Sequence, residues 1–393
     1  MTKPNPYRTT MASAFLGYIV QATVCNFPPL LFVTFRTVYG VSLRELALLV
    51  TLTFAIQLVG DLIMPRLIDR IGAKAGIILA NLLAATGLIL LPHLSDGFGY
   101  GGIVASSMLY STGASLIEVL VSPIVEACPS DNKAGTMSLL HSFFAWGCVL
   151  VIGLSTAYFA LFGVTRWKLL STLWAAVPIA DSIMFLLAPM PVLNGGAEHR
   201  TPVKTLLRNK TMLLLMVLMV AGGAAELAVS QWASAFAEAG LRVPKATGDL
   251  LGPMFFAVLM GVGRLYHALR SSRLNLYRFL VVSAAVCAAG YLLISLSPWP
   301  IVSLLGCGAV GFGVAVLWPG ALSIGSELLP WGGTTMFSLL ACCGDVGCSL
   351  GPTSVGLVSD ALSENLQLGI LVGILYPLTA LVVLGILRKQ KKA

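Results

Sequence analysis

Long apolar runs alternate with short polar breaks from residue 10 to residue 387. The runs are too long for strands, and most reach the ~20 residues a helix needs to cross a bilayer. The pattern predicts twelve spans, at 10–34, 45–64, 75–93, 101–127, 135–163, 168–190, 211–238, 247–268, 279–296, 300–325, 336–360 and 367–387. An even number returns both termini to one side. The longest polar stretch, Pro191 to Lys210, carries Asn194-Gly195-Gly196 and then four cations, and it parts six spans from six. The domain reading is a six-helix bundle over 1–190, a linker over 191–210 and a second bundle over 211–393.

Composition names the solvent. Of 393 residues 57% are apolar and 10% charged, with mean hydropathy +0.91. A soluble chain has ~25% charged residues, so this one is built for lipid. Disorder, coiled coil, collagen and a disulfide-stapled domain are excluded on the same ground. The net charge of +8 does not call for nucleic acid, because the cations sit in the polar breaks. Of 24 Lys and Arg, 18 fall in one alternating set of loops and tails and 6 in the other. That bias assigns both termini and the linker to the cytoplasm. Met1 to Thr10 is polar and the next run is long enough to span, so no cleavable signal is expected. The eight cysteines lie nearly all in apolar runs with no CxxC pair. They read as reduced small apolar residues, and the spacing of Cys148, Cys342, Cys343 and Cys348 fits no zinc pattern, so no metal and no cofactor are expected.

The halves echo one another. Ser138-Leu139-Leu140 recurs as Ser338-Leu339-Leu340 and Gly147-Cys148 as Gly347-Cys348, both at an offset of 200. Gly60-Asp61-Leu62 matches Gly263-Arg264-Leu265 at 203, and Ser122-Pro123 matches Trp318-Pro319 at 196. Four matches in order at nearly one offset indicate two six-helix repeats, the layout of a secondary transporter with its site at the repeat interface.

After the second span the chain reads Pro65-Arg66-Leu67-Ile68-Asp69-Arg70-Ile71-Gly72-Ala73-Lys74. This resembles the signature loop of the major facilitator superfamily, G-x-L-x-D-R-x-G-x-K, with Asp69, Arg70, Gly72 and Lys74 matching and Pro65 in place of the first Gly. The resemblance implies that these four residues latch neighbouring helices at their cytoplasmic ends. A narrower resemblance is to the fucose-permease-like branch of sugar:proton symporters. It rests on Glu118 and Pro123, Leu140-His141-x-Phe143-Phe144-x-x-Gly147, Glu226 and Trp232, Gly263-Arg264, Trp318-Pro319, and Asp345-x-Gly347-x-Ser349-x-Gly351-Pro352. Ser122 stands where that branch has Asn before the Pro. The first span, where that branch carries a proton-titrating Asp, has no carboxylate between residues 9 and 35.

An ionisable group at the centre of a spanning helix costs ~2.5–3.5 kcal/mol on insertion scales, so the presence of each one demands a reason. The candidates are Glu118, His141, Asp181, Glu226 and Asp345. Glu118 and His141 lie roughly 14 and 10 Å inside two sequential antiparallel spans, within reach of one another as a proton-coupling pair. Ser111, Ser115, Glu118 and Ser122 share one stripe, as Gly222, Glu226, Ser230 and Ser234 do in the seventh span. Substrate contacts are assigned to Gln21, Asn26, Ser115, Glu226, Ser230, Trp232 and Trp318. Asp345 is expected to pair with Arg264 as a latch, Asp61 and Arg264 to form a cytoplasmic charge network, and Asp181 to be a satisfied packing contact.

The expected protein is therefore all-α, integral to the plasma membrane (the inner membrane of a Gram-negative cell), monomeric and not an enzyme. No HExxH or P-loop motif occurs in it. Its expected partners are the bilayer, a small polar solute such as a sugar or related metabolite, and a coupling proton taken up by symport. The rivals are a proton-driven drug or metabolite exporter and an uncoupled uniporter.

Overall fold

The computed structural model describes residues 6–129, 133–191, 201–270 and 274–392, and the side chains at 61–69, 133–135, 137–138, 268, 333–334 and 391–392 lie outside the described residues. Among the described residues there is no strand. The long helices in chain order are α1 Arg8–Tyr39, α2 Leu43–Ile71, α3 Ala73–Phe98, α4 Tyr100–Ala127, α5 Lys133–Phe162 and α6 Val164–Leu187. They continue as α7 Lys210–Gly240, α8 Lys245–His267, α9 Leu276–Leu296, α10 Pro300–Leu328, α11 Gly333–Ala361 and α12 Leu366–Gln390. Eleven helices are long and apolar enough to cross a membrane, counted among the described residues. The 29-residue α11, rich in Gly, Ser and Thr, is not one of the eleven.

Local sequence explains the ends. Ser42 and Glu45 cap α2 reciprocally: Glu45 Oε2 accepts from Ser42 N and Oγ at 2.8 Å each, and Glu45 N donates to Ser42 Oγ at 3.2 Å. Asn209, Asn275 and Asn365 cap α7, α9 and α12 by accepting from backbone N–H groups of the first turn. The tight link between α2 and α3 turns on Gly72 at φ +80, a left-handed position that explains the Gly in the latch sequence. The first span is not one continuous α-helix. Pro28 and Pro29 remove two donors, and the chain passes through a 3₁₀ turn, Pro28–Leu31, before resuming as Phe32–Tyr39.

The chain forms two compact units, residues 1–41 with 55–195 and residues 42–54 with 196–393. Within each, small residues let helices approach to backbone contact. In unit 1, α3 meets α4 at Gly87 and Gly113, where an added Cβ would stand 2.6 Å from Tyr110 N and 2.6 Å from Ala84 N. In unit 2, α9 meets α10 in the same way at Gly290 and Gly306, each with a backbone N 2.9 Å from an added Cβ. The repeated Gly147 and Gly347 hold equivalent places. Gly147 of α5 faces Ala22 of α1, and Gly347 of α11 faces Ala224 of α7.

Gly347→Ala would put a methyl 2.9 Å from Ala224 N and 2.9 Å from Val220 C, against backbone that cannot step aside. The expected loss is about 1–3 kcal/mol, read as a lower unfolding temperature in detergent. Gly385→Ala in α12, with nothing within 4 Å of the added carbon, is the matched control and is expected to be neutral or stabilising.

Candidate functional site

Polar side chains of unit 1 converge on Glu118. From α1, Gln21 Nε2 donates to Glu118 Oε2 at 2.7 Å, and from α2, Gln57 Nε2 donates to the same oxygen. Ser115, one turn before Glu118, donates to the Gln57 carbonyl at 3.3 Å and so fixes α2 against α4 at this level. Gln21 is buried, and its Oε1 has no hydrogen-bond partner among the described residues. One turn beyond Glu118, Ser122 Oγ lies 3.3 Å from Tyr18 OH, and the same hydroxyl lies 3.2 Å from Nδ1 of the exposed His141. A carboxyl group accepts at Oε2 whether or not its other oxygen carries a proton, so the amide bonds to Glu118 survive a change in its protonation. Asn26, expected to face solute, donates instead to the Ala22 carbonyl at 2.9 Å and to Cys148 Sγ at 3.1 Å, where α1 breaks.

Unit 2 holds a charge pair. Arg264 Nη2 of α8 lies 3.8 Å from Glu226 Oε2 of α7, and Arg264 Nε donates to the Ala315 carbonyl at 3.1 Å. That carbonyl is available because Pro319, four residues on, has no N–H to return to it, and α10 is broken between Val314 and Leu317. Arg264 was expected to pair with Asp345; the structure gives it Glu226 as its carboxylate. Asp345 is buried in α11. Trp318 is half-buried, its ring laid against Gly344 with Cζ2 2.9 Å from where a Cβ would stand. Ser230 is half-buried. Trp232 is fully buried, and its indole N–H donates to the Pro352 carbonyl at 2.9 Å, joining α7 to α11. Farther along α7, Ser234 donates to Asp249 at 2.5 Å, and Lys245 lies 3.2 Å from the same carboxylate.

In the latch region Lys74 Nζ donates to the Ala188 carbonyl at 3.0 Å, just beyond the end of α6, and Arg70 is exposed. The side chains of Asp61 and Asp69 lie outside the described residues. Two site residues have no place among the sequence expectations, Gln57 and Tyr18. Gln57 stands four residues before Asp61, a polar position in an otherwise apolar run, and that periodicity was its only signal.

The sequence model of the Major Facilitator Superfamily matches residues 11–352. The chain belongs to the Major Facilitator Superfamily. It is a multi-pass membrane transporter. Membrane protein MosC of Rhizobium meliloti is 22% identical over 368 residues, 92% of this chain and 86% of that protein. Among solved structures, the nucleoside transporter NupG superposes with TM-score 0.79 at 11% identity, covering 98% of this chain and 100% of that one. The D-xylose-proton symporter gives TM-score 0.78 at 13% identity, with 96% of each chain covered. The fucose:proton symporter FucP of E. coli gives 0.63 at 15% identity, with 97% of this chain and 99% of that one covered. At these identities the likeness establishes the superfamily fold.

Proposed function

We propose that this transporter carries a small polar organic solute, a sugar or related metabolite, together with a proton by alternating access, with Glu118 as the proton-binding group. The observation that carries the reading is the Gln21–Glu118–Gln57 cluster, in which Gln21 keeps a buried, unpartnered Oε1. Buried acceptors are ordinarily satisfied. A solute hydroxyl or N–H supplies the missing donor. His141, through Tyr18 and Ser122, extends the polar path one turn beyond Glu118. We assign solute contacts to Gln21, Gln57, Glu226, Ser230 and Trp318, and framework roles to Ser115, Asn26 and Trp232. Arg264 with Glu226, and the Asp61, Asp69, Arg70, Lys74 and Asp345 group, serve the conformational cycle.

The names of the structural neighbours support the same class, since they include a nucleoside transporter and two sugar:proton symporters. The topology we infer has α11 as a twelfth span, six-helix halves at 1–190 and 211–393 joined by 191–210, and cytoplasmic termini in the plasma membrane. A thermal-shift screen of the purified protein with sugars, nucleosides, amino acids and drugs at two pH values tests the class. The expected result is stabilisation by a sugar or nucleoside that depends on pH. Stabilisation confined to apolar drugs would favour an exporter.

A further inference from the structure

Asp181 lies in the second half of α6 and is 0% exposed, as is Asn81 of α3. Asn81 Nδ2 donates to Asp181 Oδ2 at 2.9 Å and to the Ile77 carbonyl at 3.1 Å, and the second bond fixes which end of the amide is nitrogen. Among the described residues, Asp181 Oδ1 and Asn81 Oδ1 have no hydrogen-bond partner. α1 closes the third side with Gly17, where an added Cβ would stand 3.6 Å from Asp181 Oδ2, 3.4 Å from Ile117 and 3.1 Å from Val121.

Each orphaned acceptor is a standing cost, and because the two groups are already joined by one hydrogen bond, a single hydrogen shared by the orphans would remove both costs. In each planar group the orphan oxygen and the bonded atom share one carbon, so a hydrogen between the orphans closes a ring of acid and amide. Among the described residues no ion pair to Asp181 takes the place of that hydrogen. On the helices packed against α6, the titratable groups of α1 are Arg8 at its start, Tyr18, Cys25 and, past the break, Arg36 and Tyr39. Tyr18 turns to Ser122 and His141. Those of α3 are Lys74, His93 and Asp96, and the described ones of α5, which meets α6 where Trp174 Nε1 donates to Ser155, are His141, Cys148 and Tyr158. Lys74 bonds the Ala188 carbonyl, and Asp96 pairs with Lys168 at the start of α6. The described hydrogen bond of the Asp181 carboxyl is the one from Asn81.

We propose that Asp181 and Asn81 form a second proton-binding site in unit 1, separate from Glu118. Asp181 is held there as the neutral acid, with its Oδ1–H donating to Asn81 Oδ1 while Asn81 Nδ2–H donates to Asp181 Oδ2. The proton is resident rather than transported. It closes α6 and α3 around Gly17, one turn from Gln21 on the same face of α1, and so holds the helix that presents Gln21 to Glu118.

Asp181→Asn tests this, because its side-chain N–H replaces the acid O–H and keeps the ring. The full-length protein in detergent is expected to unfold at no lower temperature in the variant than in the wild type at neutral pH. The difference should grow in the variant's favour as pH rises. Above the ordinary carboxylate range the unfolded wild-type chain releases the Asp181 proton and the folded one retains it. Wild-type folding therefore weakens about tenfold per pH unit relative to the variant, until the folded acid itself ionises. Infrared spectra at neutral pH should show a protonated-carboxyl C=O band that is lost in Asp181→Asn and kept in Glu118→Gln. Solute accumulation should persist in Asp181→Asn. Failure of the variant to fold, a uniform loss of stability at every pH, or absence of the band would overturn the neutral-acid site. Loss of accumulation in a folded Asp181→Asn would overturn its resident character and leave the assignment of Glu118 untouched.

Discussion

Glu118→Gln is expected to abolish uphill solute accumulation driven by a pH gradient while leaving solute exchange between equal concentrations intact. Gln keeps an oxygen that can accept from Gln21 and Gln57, so the cluster of three helices stays closed and solute still binds. What is removed is the exchangeable proton. In the proposed cycle, protonation with solute bound lowers the net charge of the site and permits the carrier to reorient; solute and proton then leave together and the empty carrier returns. In the variant the reorientation no longer depends on a proton, and the internal to external solute ratio settles at unity. Counterflow of labelled solute in proteoliposomes reports exchange, and uptake under an imposed pH gradient reports accumulation. Accumulation surviving in the variant would remove Glu118 from the coupling step.

Arg264→Leu is expected to have the largest effect on folding among the charge changes. It strips Glu226 of its cation and the Ala315 carbonyl of its donor in one step. Breaking a buried pair from one side costs about 3–5 kcal/mol, because the remaining charge stays desolvated. The Arg264 side chain is 30% exposed against 14% for Glu226, so solvent reduces the figure to about 2–3 kcal/mol. Glu226→Gln alone should be milder, since the guanidinium keeps the Ala315 carbonyl and reaches water. Glu226→Gln combined with Arg264→Leu should recover part of the loss, with a coupling energy of about 0.5–3 kcal/mol. Unfolding temperatures of the four proteins in detergent, with uptake measured beside them, give the cycle. Strict additivity would mean that the two side chains do not act as a pair.

The helices were legible because hydropathy and length are properties of a single segment. The break after Asn26 was legible from Pro28-Pro29, and the matched Gly147 and Gly347 were legible as a repeat because both serve the same close approach in their own unit. Rotation about each helix axis was not legible. Arg264 and Asp345 both sit in apolar runs, and nothing in either run says that Arg264 turns toward α7 and α10. The one available signal was Pro319, which frees the Ala315 carbonyl and so creates a seat for a donor. Trp232 looked like a lining aromatic until its partner, a carbonyl 120 residues away in sequence, was known. Gln57 was not legible because, unlike Gln21 and Asn26, it stands beside no proline break, although a neutral amide is the natural companion of a buried carboxyl. Asn81 was hidden for a related reason, since its partner Asp181 is 100 residues distant.

The central claim is that solute and proton move together through the Glu118 cluster, and proton flux tests it most directly. Proteoliposomes holding a trapped pH dye, with no imposed gradient, are challenged from outside with whichever of fucose, D-xylose or a nucleoside stabilises the purified protein. Solute entry should acidify the interior in the wild type and leave it unchanged in Glu118→Gln. Wild-type uptake with no movement of protons would contradict the account.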